Sequence, residues 1–258
     1  MDKEVKSMFR TMAIVIAFLL IVSNICKAQG QHAVSINTQA DMVSSYVWRG
    51  MYQSGAAVQP TLGMNTGNFS LSTWGSVDVT GQGHKEVDLT ASYSTNGITA
   101  SLTDYWWAGQ SGIYNNRVNG ENKYFHLSNH NTDHILEAGL SYVLPIKRLP
   151  VSLSWYTMIW GADKKSDSNM KIKNAYSSYG EVSCPFTVQN TNLLASVGFS
   201  PFDSPANYKN NGFAVTNIAI KASKEIQITD KFSLPIFGQV IWNPNREDVH
   251  FVFGVTLK

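Results

Sequence analysis

The chain has 258 residues, with 20 Lys plus Arg against 18 Asp plus Glu, and 43% of it is apolar. Once residues 1–28 are set aside as a secretory signal, which takes four basic and two acidic residues with it, 16 of each sign remain, so nucleic acid is excluded as a partner. The two cysteines exclude a disulfide framework, because Cys26 leaves with the signal and Cys184 stays alone.

The signal is read from Lys3, Lys6 and Arg10, the unbroken apolar run 12–22 and the small residues near Cys26-Lys27-Ala28. That run is shorter than the roughly 20 residues a membrane-spanning helix needs, and no later stretch is long enough. Residues 29–258 are therefore expected to form one domain.

From residue 33 to 50 the side chains alternate with a period of two. Val34, Ile36, Ala40, Met42, Tyr46 and Trp48 fall on one face, and Ser35, Asn37, Gln39, Asp41, Ser45 and Arg49 mostly on the other. The alternation returns at 57–66, 69–79, 86–96, 97–107, 134–144, 150–160, 175–187, 191–200, 212–227, 231–242 and 249–258. This predicts twelve strands and no helix, an all-β chain. The connections alternate too. Tight ones lie at 66–68, Asn96-Gly97, 145–149, 189–190 and 228–230, and longer ones at 51–56, 80–85, 108–133, 161–174, 201–211 and 243–248. An even strand count, one rim of short turns and one of long loops predict an antiparallel up-and-down transmembrane β-barrel. Ten or eleven residues at about 3.3 Å each, tilted by about 40°, span roughly 27 Å, the height of an outer membrane's apolar band.

Aromatic residues gather at both strand ends. Tyr46, Trp48, Trp106, Trp160, Tyr176, Phe213, Trp242 and Phe251 stand beside the long loops, and Phe69, Tyr93, Tyr142, Phe186 and Phe232 beside the short turns. They are expected to form two belts at the membrane interfaces, with the termini periplasmic, the long loops extracellular, and membrane lipid and lipopolysaccharide as neighbours.

The run Ser45-Tyr-Val-Trp-Arg-Gly50 after Asn37, with Ala57-Val-Gln59, Trp74-Gly-Ser-Val-Asp78, Glu86-Val-Asp-Leu89 and Tyr93, resembles the porin-like TorF or Gcw-chp type of Gram-negative outer membranes. Residues 37–107 carry the likeness most strongly; the later segments, such as Pro185-Phe186 and Leu234-Pro-Ile-Phe-Gly-Gln239, resemble a Bacteroidetes branch. The resemblance implies passive transport of small solutes, with no cofactor and no catalytic residues.

The parity opposite the apolar one predicts a lumen lined by Asp41, Arg49, Asp78, Glu86, Asp88, Glu137, Glu181, Lys221 and Glu225. Hydrated, these charges would select permeant ions. Paired, they would plug an interior only about 10 Å wide. Arg49, inward near the long-loop rim, is the cation expected to anchor a loop or narrow a channel. An enzymatic alternative rests on His126-Leu-Ser128-Asn129, where two side chains two residues apart share a strand face and imidazole can activate a hydroxyl. It resembles the His-x-Ser-Asn arrangement of outer-membrane lipid esterases, and its plain competitor is a polar loop. His126, His130 and His134, four apart, would align as metal ligands only on a helix, which the Ser, Asn, Thr and Asp between them disfavour.

Overall fold

A computed structural model describes residues 33–81, 85–108, 124–125, 127, 132–146, 149–166 and 169–258. The strands are β1 (Ser35–Val43), β2 (Tyr46–Trp48), β3 (Met51–Ser54), β4 (Ala57–Thr66), β5 (Phe69–Asp78), β6 (Lys85–Thr95), β7 (Ile98–Ala108), β8 (His134–Val143), β9 (Ser152–Gly161), β10 (Lys164–Ser166), β11 (Ile172–Asn174), β12 (Ser178–Val188), β13 (Thr191–Ser200), β14 (Ala214–Thr229), β15 (Phe232–Asn243) and β16 (Asp248–Leu257). Twelve of them close an antiparallel barrel in the order β1, β16, β15, β14, β13, β12, β9, β8, β7, β6, β5, β4. The other four form two small hairpins, β2–β3 and β10–β11, each within a long loop.

Closure is sealed by β1, which pairs with β4 from Ser35↔Asn65 to Val43↔Ala57 and with β16 from Ala40↔Leu257 to Val43↔Gly254. The barrel sheet is left with no edge to pair elsewhere. At the β6–β7 turn Asn96 and Gly97 take φ of 49° and 79°, the primed geometry whose twist matches that of the flanking strands.

The period-two pattern sorts the two faces as expected. Ile36, Leu62, Leu89, Leu102, Leu140, Val197, Ile220, Val240 and Phe253 are exposed on the outside. The inward parity carries Asp41, Gln59, Ser76, Glu86, Asp88, Glu137, Glu181 and Lys221, with aromatic residues among them.

The first strand departs from its sequence reading. The wall strand stops at Val43, and residues 44–56 turn into the lumen as the β2–β3 hairpin. Tyr46 and Trp48, expected in the outer belt, are therefore inside the barrel, with Tyr46 buried near Trp74. Trp106, Trp160, Trp242, Phe69, Tyr93, Tyr142 and Phe232 keep the outward parity.

The core lies inside the barrel, toward the long-loop rim. One apolar cluster joins Val43, Ala57, Ala219, Ile241 and Val252, with Val47 of the hairpin packed on it. Another joins Tyr105, Trp107, Ile135, Met158 and Ala162, with Trp48 packed on it. A third joins Met51, Tyr179 and Tyr208, flanked by Trp48 and Tyr156.

Candidate functional site: a cation latch across the lumen

The hairpin tip is set by Arg49 and Gly50, both at positive φ, 50° and 80°. Asn243, fully buried on β15, donates from its Nδ2 to the Gly50 carbonyl at 3.0 Å and fixes the depth of the tip. Arg49 then reaches the opposite wall. Its two terminal nitrogens donate to the two oxygens of Glu137 on β8 at 2.7 and 2.8 Å, a two-pronged pairing only a guanidinium can make. The Arg49 side chain is 11% exposed and that of Glu137 3%.

Both partners are satisfied further. Tyr105 donates its hydroxyl to Glu137 at 2.9 Å, and Arg49 donates to the Tyr208 oxygen at 2.7 Å. The guanidinium carbon stands 4.4, 4.5 and 4.6 Å from the ring centres of Trp48, Tyr156 and Tyr179. Each such contact contributes about 0.5–2 kcal/mol, the more so where water is excluded. Tyr208 in turn stacks between Trp48 at 5.9 Å and Tyr179 at 5.7 Å.

Tyr208 is brought there by the long loop 201–213, which also folds inward. Asp163 ties that loop to the neighbouring one. It accepts from the Ser177 backbone N–H at 2.8 Å, the Ser177 hydroxyl at 2.7 Å and Asn207 Nδ2 at 2.7 Å, while Ser204 donates to the Ser177 hydroxyl at 2.7 Å. Burial pushes the Asp163 carboxyl up, against the downward pull of the Ser177 and Asn207 donors. Asp163→Ala strands these donors and is expected to cost about 1–3 kcal/mol. Amide exchange checks it: protection across 201–213 should fall while the barrel strands keep theirs.

The other predicted lumen residues lie on the inner wall around and below this latch. Asp41 accepts from Thr256 at 2.6 Å. Asp78 accepts from the Thr80 N–H at 2.9 Å. Glu86 accepts from the Trp107 indole, and Asp88 is buried two residues further along β6. Glu181 accepts from Tyr179 at 2.7 Å, and Lys221 stands 3.9 Å above the Phe237 ring. Glu225 is exposed toward the short-turn rim. Arg49 and Glu137 were each named from the sequence as lumen residues, but not as partners. Tyr208, Tyr156, Tyr179, Tyr105 and Asn243 were not named, although Tyr105, Trp107, Tyr156 and Tyr179 share the polar parity, the available sign that the interior holds a packed core.

His126, Ser128, Asn129 and His130 lie outside the described residues. His134 turns Nδ1 to Asp104 at 2.9 Å and Nε2 to the Tyr124 carbonyl, so neither ring nitrogen is available to a metal.

The interior has a second character toward the short turns. There many inward positions are small and hydroxylated, among them Ser70, Ser72, Ser92, Ser101, Ser154 and Ser183, each partly exposed. The lumen is thus a polar vestibule ending at an aromatic and ionic plug.

No family model and no curated protein matches the chain, so the resemblance to the TorF or Gcw-chp type rests on the residues quoted for it. Among solved structures the chain is similar to the NanC porin, at 9% identity over 86% of this chain and 98% of that one, with a TM-score of 0.46. It is also similar to a porin refined at 1.8 Å, at 13% identity over 79% and 62% with a TM-score of 0.40, and to a bacterial polysaccharide outer membrane secretin, at 11% identity over 87% and 98% with a TM-score of 0.37.

Proposed function

We propose that this protein spans a Gram-negative outer membrane and is a gated channel for passive diffusion of small hydrophilic solutes. The exterior supports the membrane location. Large apolar side chains such as Ile36 (70% exposed), Leu140 (56%) and Phe253 (60%) cover it, far more apolar surface than a water-soluble monomer exposes. Closure of the sheet satisfies the backbone in the absence of water.

The channel function is carried by one observation: the hydroxyl-lined vestibule leads up to a plug whose centre is a single ion pair, Arg49 with Glu137. The partly exposed hydroxyls of that vestibule offer a hydrophilic solute the hydrogen bonds a path needs. The plug is built on a loop hairpin outside the barrel ladder, so it can withdraw with the wall intact.

Reconstitution tests this. Wild-type protein in planar bilayers is expected to show rare, small conductance steps, and a variant with residues 45–55 replaced by an Asn-Gly turn should show frequent, larger ones and pass small sugars into liposomes. Inserted protein with no conductance in either form would overturn the channel.

A further inference from the structure

Most of what holds the Arg49 guanidinium belongs to the barrel and not to the hairpin. Glu137 and Tyr105 stand on β8 and β7, Tyr156 on β9 and Tyr179 on β12, all of them wall strands. Trp48 arrives with the arginine on the β2–β3 hairpin, and Tyr208 comes from loop 201–213.

The wall rings are fixed by their own surroundings. Tyr156 lies against its cross-strand partner Gly139, where a Cβ would stand 2.7 Å from the ring. Tyr179 lies against Gly198, where a Cβ would meet a ring carbon at 2.8 Å and its hydroxyl closer still. A glycine beneath each ring permits that close approach to the backbone. The Tyr179 hydroxyl also donates to Glu181 at 2.7 Å and accepts from Asn217 at 3.3 Å, and Tyr105 is tied to Glu137 at 2.9 Å. None of these contacts involves the hairpin, so the cage is already shaped when Arg49 is elsewhere, and little ordering remains for a ligand to impose.

Charge and access agree with this. Once Arg49 withdraws, Glu137 is a buried carboxylate that has lost the base paired with it, a state that favours uptake of another cation. Tyr156 is partly exposed, with Ser154 next along the same face toward the short turns, so the cage borders the hydroxyl-lined path. Glu181 adds an acid beside Tyr179, while Lys221 has Asp41 as a charged neighbour. The geometry also selects among cations. Two carboxylate oxygens accepting at 2.7 and 2.8 Å require paired N–H groups, which a guanidinium has and an ammonium lacks.

We propose that Glu137, Tyr105, Tyr156 and Tyr179 form a binding site for guanidinium-bearing solutes, and that Arg49 fills it as a tethered stand-in which such a solute displaces to open the lumen. The site rests on the channel proposed above and narrows its solutes to one class. A tethered side chain competes at an effective concentration on the order of millimolar, so the wild type responds only to solute in excess of that. Protein lacking Arg49 responds to less.

The test uses methylguanidinium on the full-length barrel in planar bilayers. In Arg49→Ala it should block the potassium chloride conductance saturably and at least tenfold more tightly than methylammonium, while urea, planar but uncharged, should not block. Adding Glu137→Gln should weaken that block about tenfold. In the wild type, higher concentrations should raise the frequency of openings. The variant with residues 45–55 replaced by an Asn-Gly turn keeps all four wall residues and supplies a second empty site should Arg49→Ala fail to fold, which heat-modifiable gel migration reports. Thermal unfolding in neutral detergent micelles reads binding without conductance: methylguanidinium should raise the Tm of Arg49→Ala and not that of Arg49→Ala/Glu137→Gln. Equal block by methylammonium, block that survives Glu137→Gln, or no effect on conductance and Tm in either empty-site protein would overturn the cation site. Binding to Arg49→Ala without added openings in the wild type would overturn displacement by solute. A Tm shift with no conductance in any form would uphold the site and overturn the channel.

Discussion

Arg49→Ala is expected to raise single-channel conductance several-fold and to lower the unfolding free energy of the barrel by about 3–5 kcal/mol, the usual cost of leaving one member of a buried ion pair without the other. Glu137, 3% exposed, would keep only the Tyr105 hydroxyl, and the space between Trp48, Tyr156 and Tyr179 would lose its cation. Glu137→Gln should do less, because a neutral acceptor remains and Arg49 keeps its rings and Tyr208. Arg49→Lys should also fall short of the alanine change: an ammonium stays over the aromatic faces but cannot make the paired contacts at 2.7 and 2.8 Å. Urea unfolding in lipid vesicles gives the stability and planar bilayers the conductance. Three variants indistinguishable from wild type in both would show that the pair is not the latch.

Gly50→Ala is expected to open the lumen about as far as Arg49→Ala while removing no polar group. At φ of +80° a Cβ would fall 1.8 Å from the Thr216 carbonyl oxygen and 2.8 Å from its carbon. That obstacle is backbone of β14 at a bulge, flanked by Val215 and Asn217, which both pair with β13, so it has little room to move aside. The hairpin tip must back out, breaking the Asn243 contact to the Gly50 carbonyl and drawing Arg49 from Glu137. Gly81→Ala is the control. Gly81 also has positive φ, +70°, but its Cβ would meet nothing within 4 Å, so only local backbone strain of about 1 kcal/mol is added. Protease cleavage within 45–55 should increase in Gly50→Ala and not in Gly81→Ala; equal cleavage in both would place the plug's hold elsewhere.

These two changes also mark where the sequence was legible. Ile36, Ala40 and Met42 against Asn37, Gln39 and Asp41 announced a wall strand with unlike faces, and β1 is that strand. Asn96-Gly97 announced its hairpin by residue type alone, since few residues accept positive φ twice in succession. Arg49 was recognised as an inward cation near the long-loop rim. Its partner stood in the same list of lumen charges, but nothing in the spacing of Arg49 and Glu137, 88 residues apart, joined them. Tyr208 was unreadable: it lies in a loop of Asn, Ser, Pro and Lys with no period to place it.

The sequence by itself determined a twelve-stranded closed barrel with an apolar exterior and a polar interior, because a period of two sorts side chains by solvent wherever a strand is built into a wall. Only the tertiary structure decided that the chain leaves the wall at Val43 and carries Tyr46, Trp48 and Arg49 into the lumen. The physical reason is that alternation is a property of extended backbone and is the same in a wall strand and in a hairpin folded inside. What separates the two is the destination of the charge, and Arg49 finds Glu137 and three aromatic faces only after the barrel has closed around them.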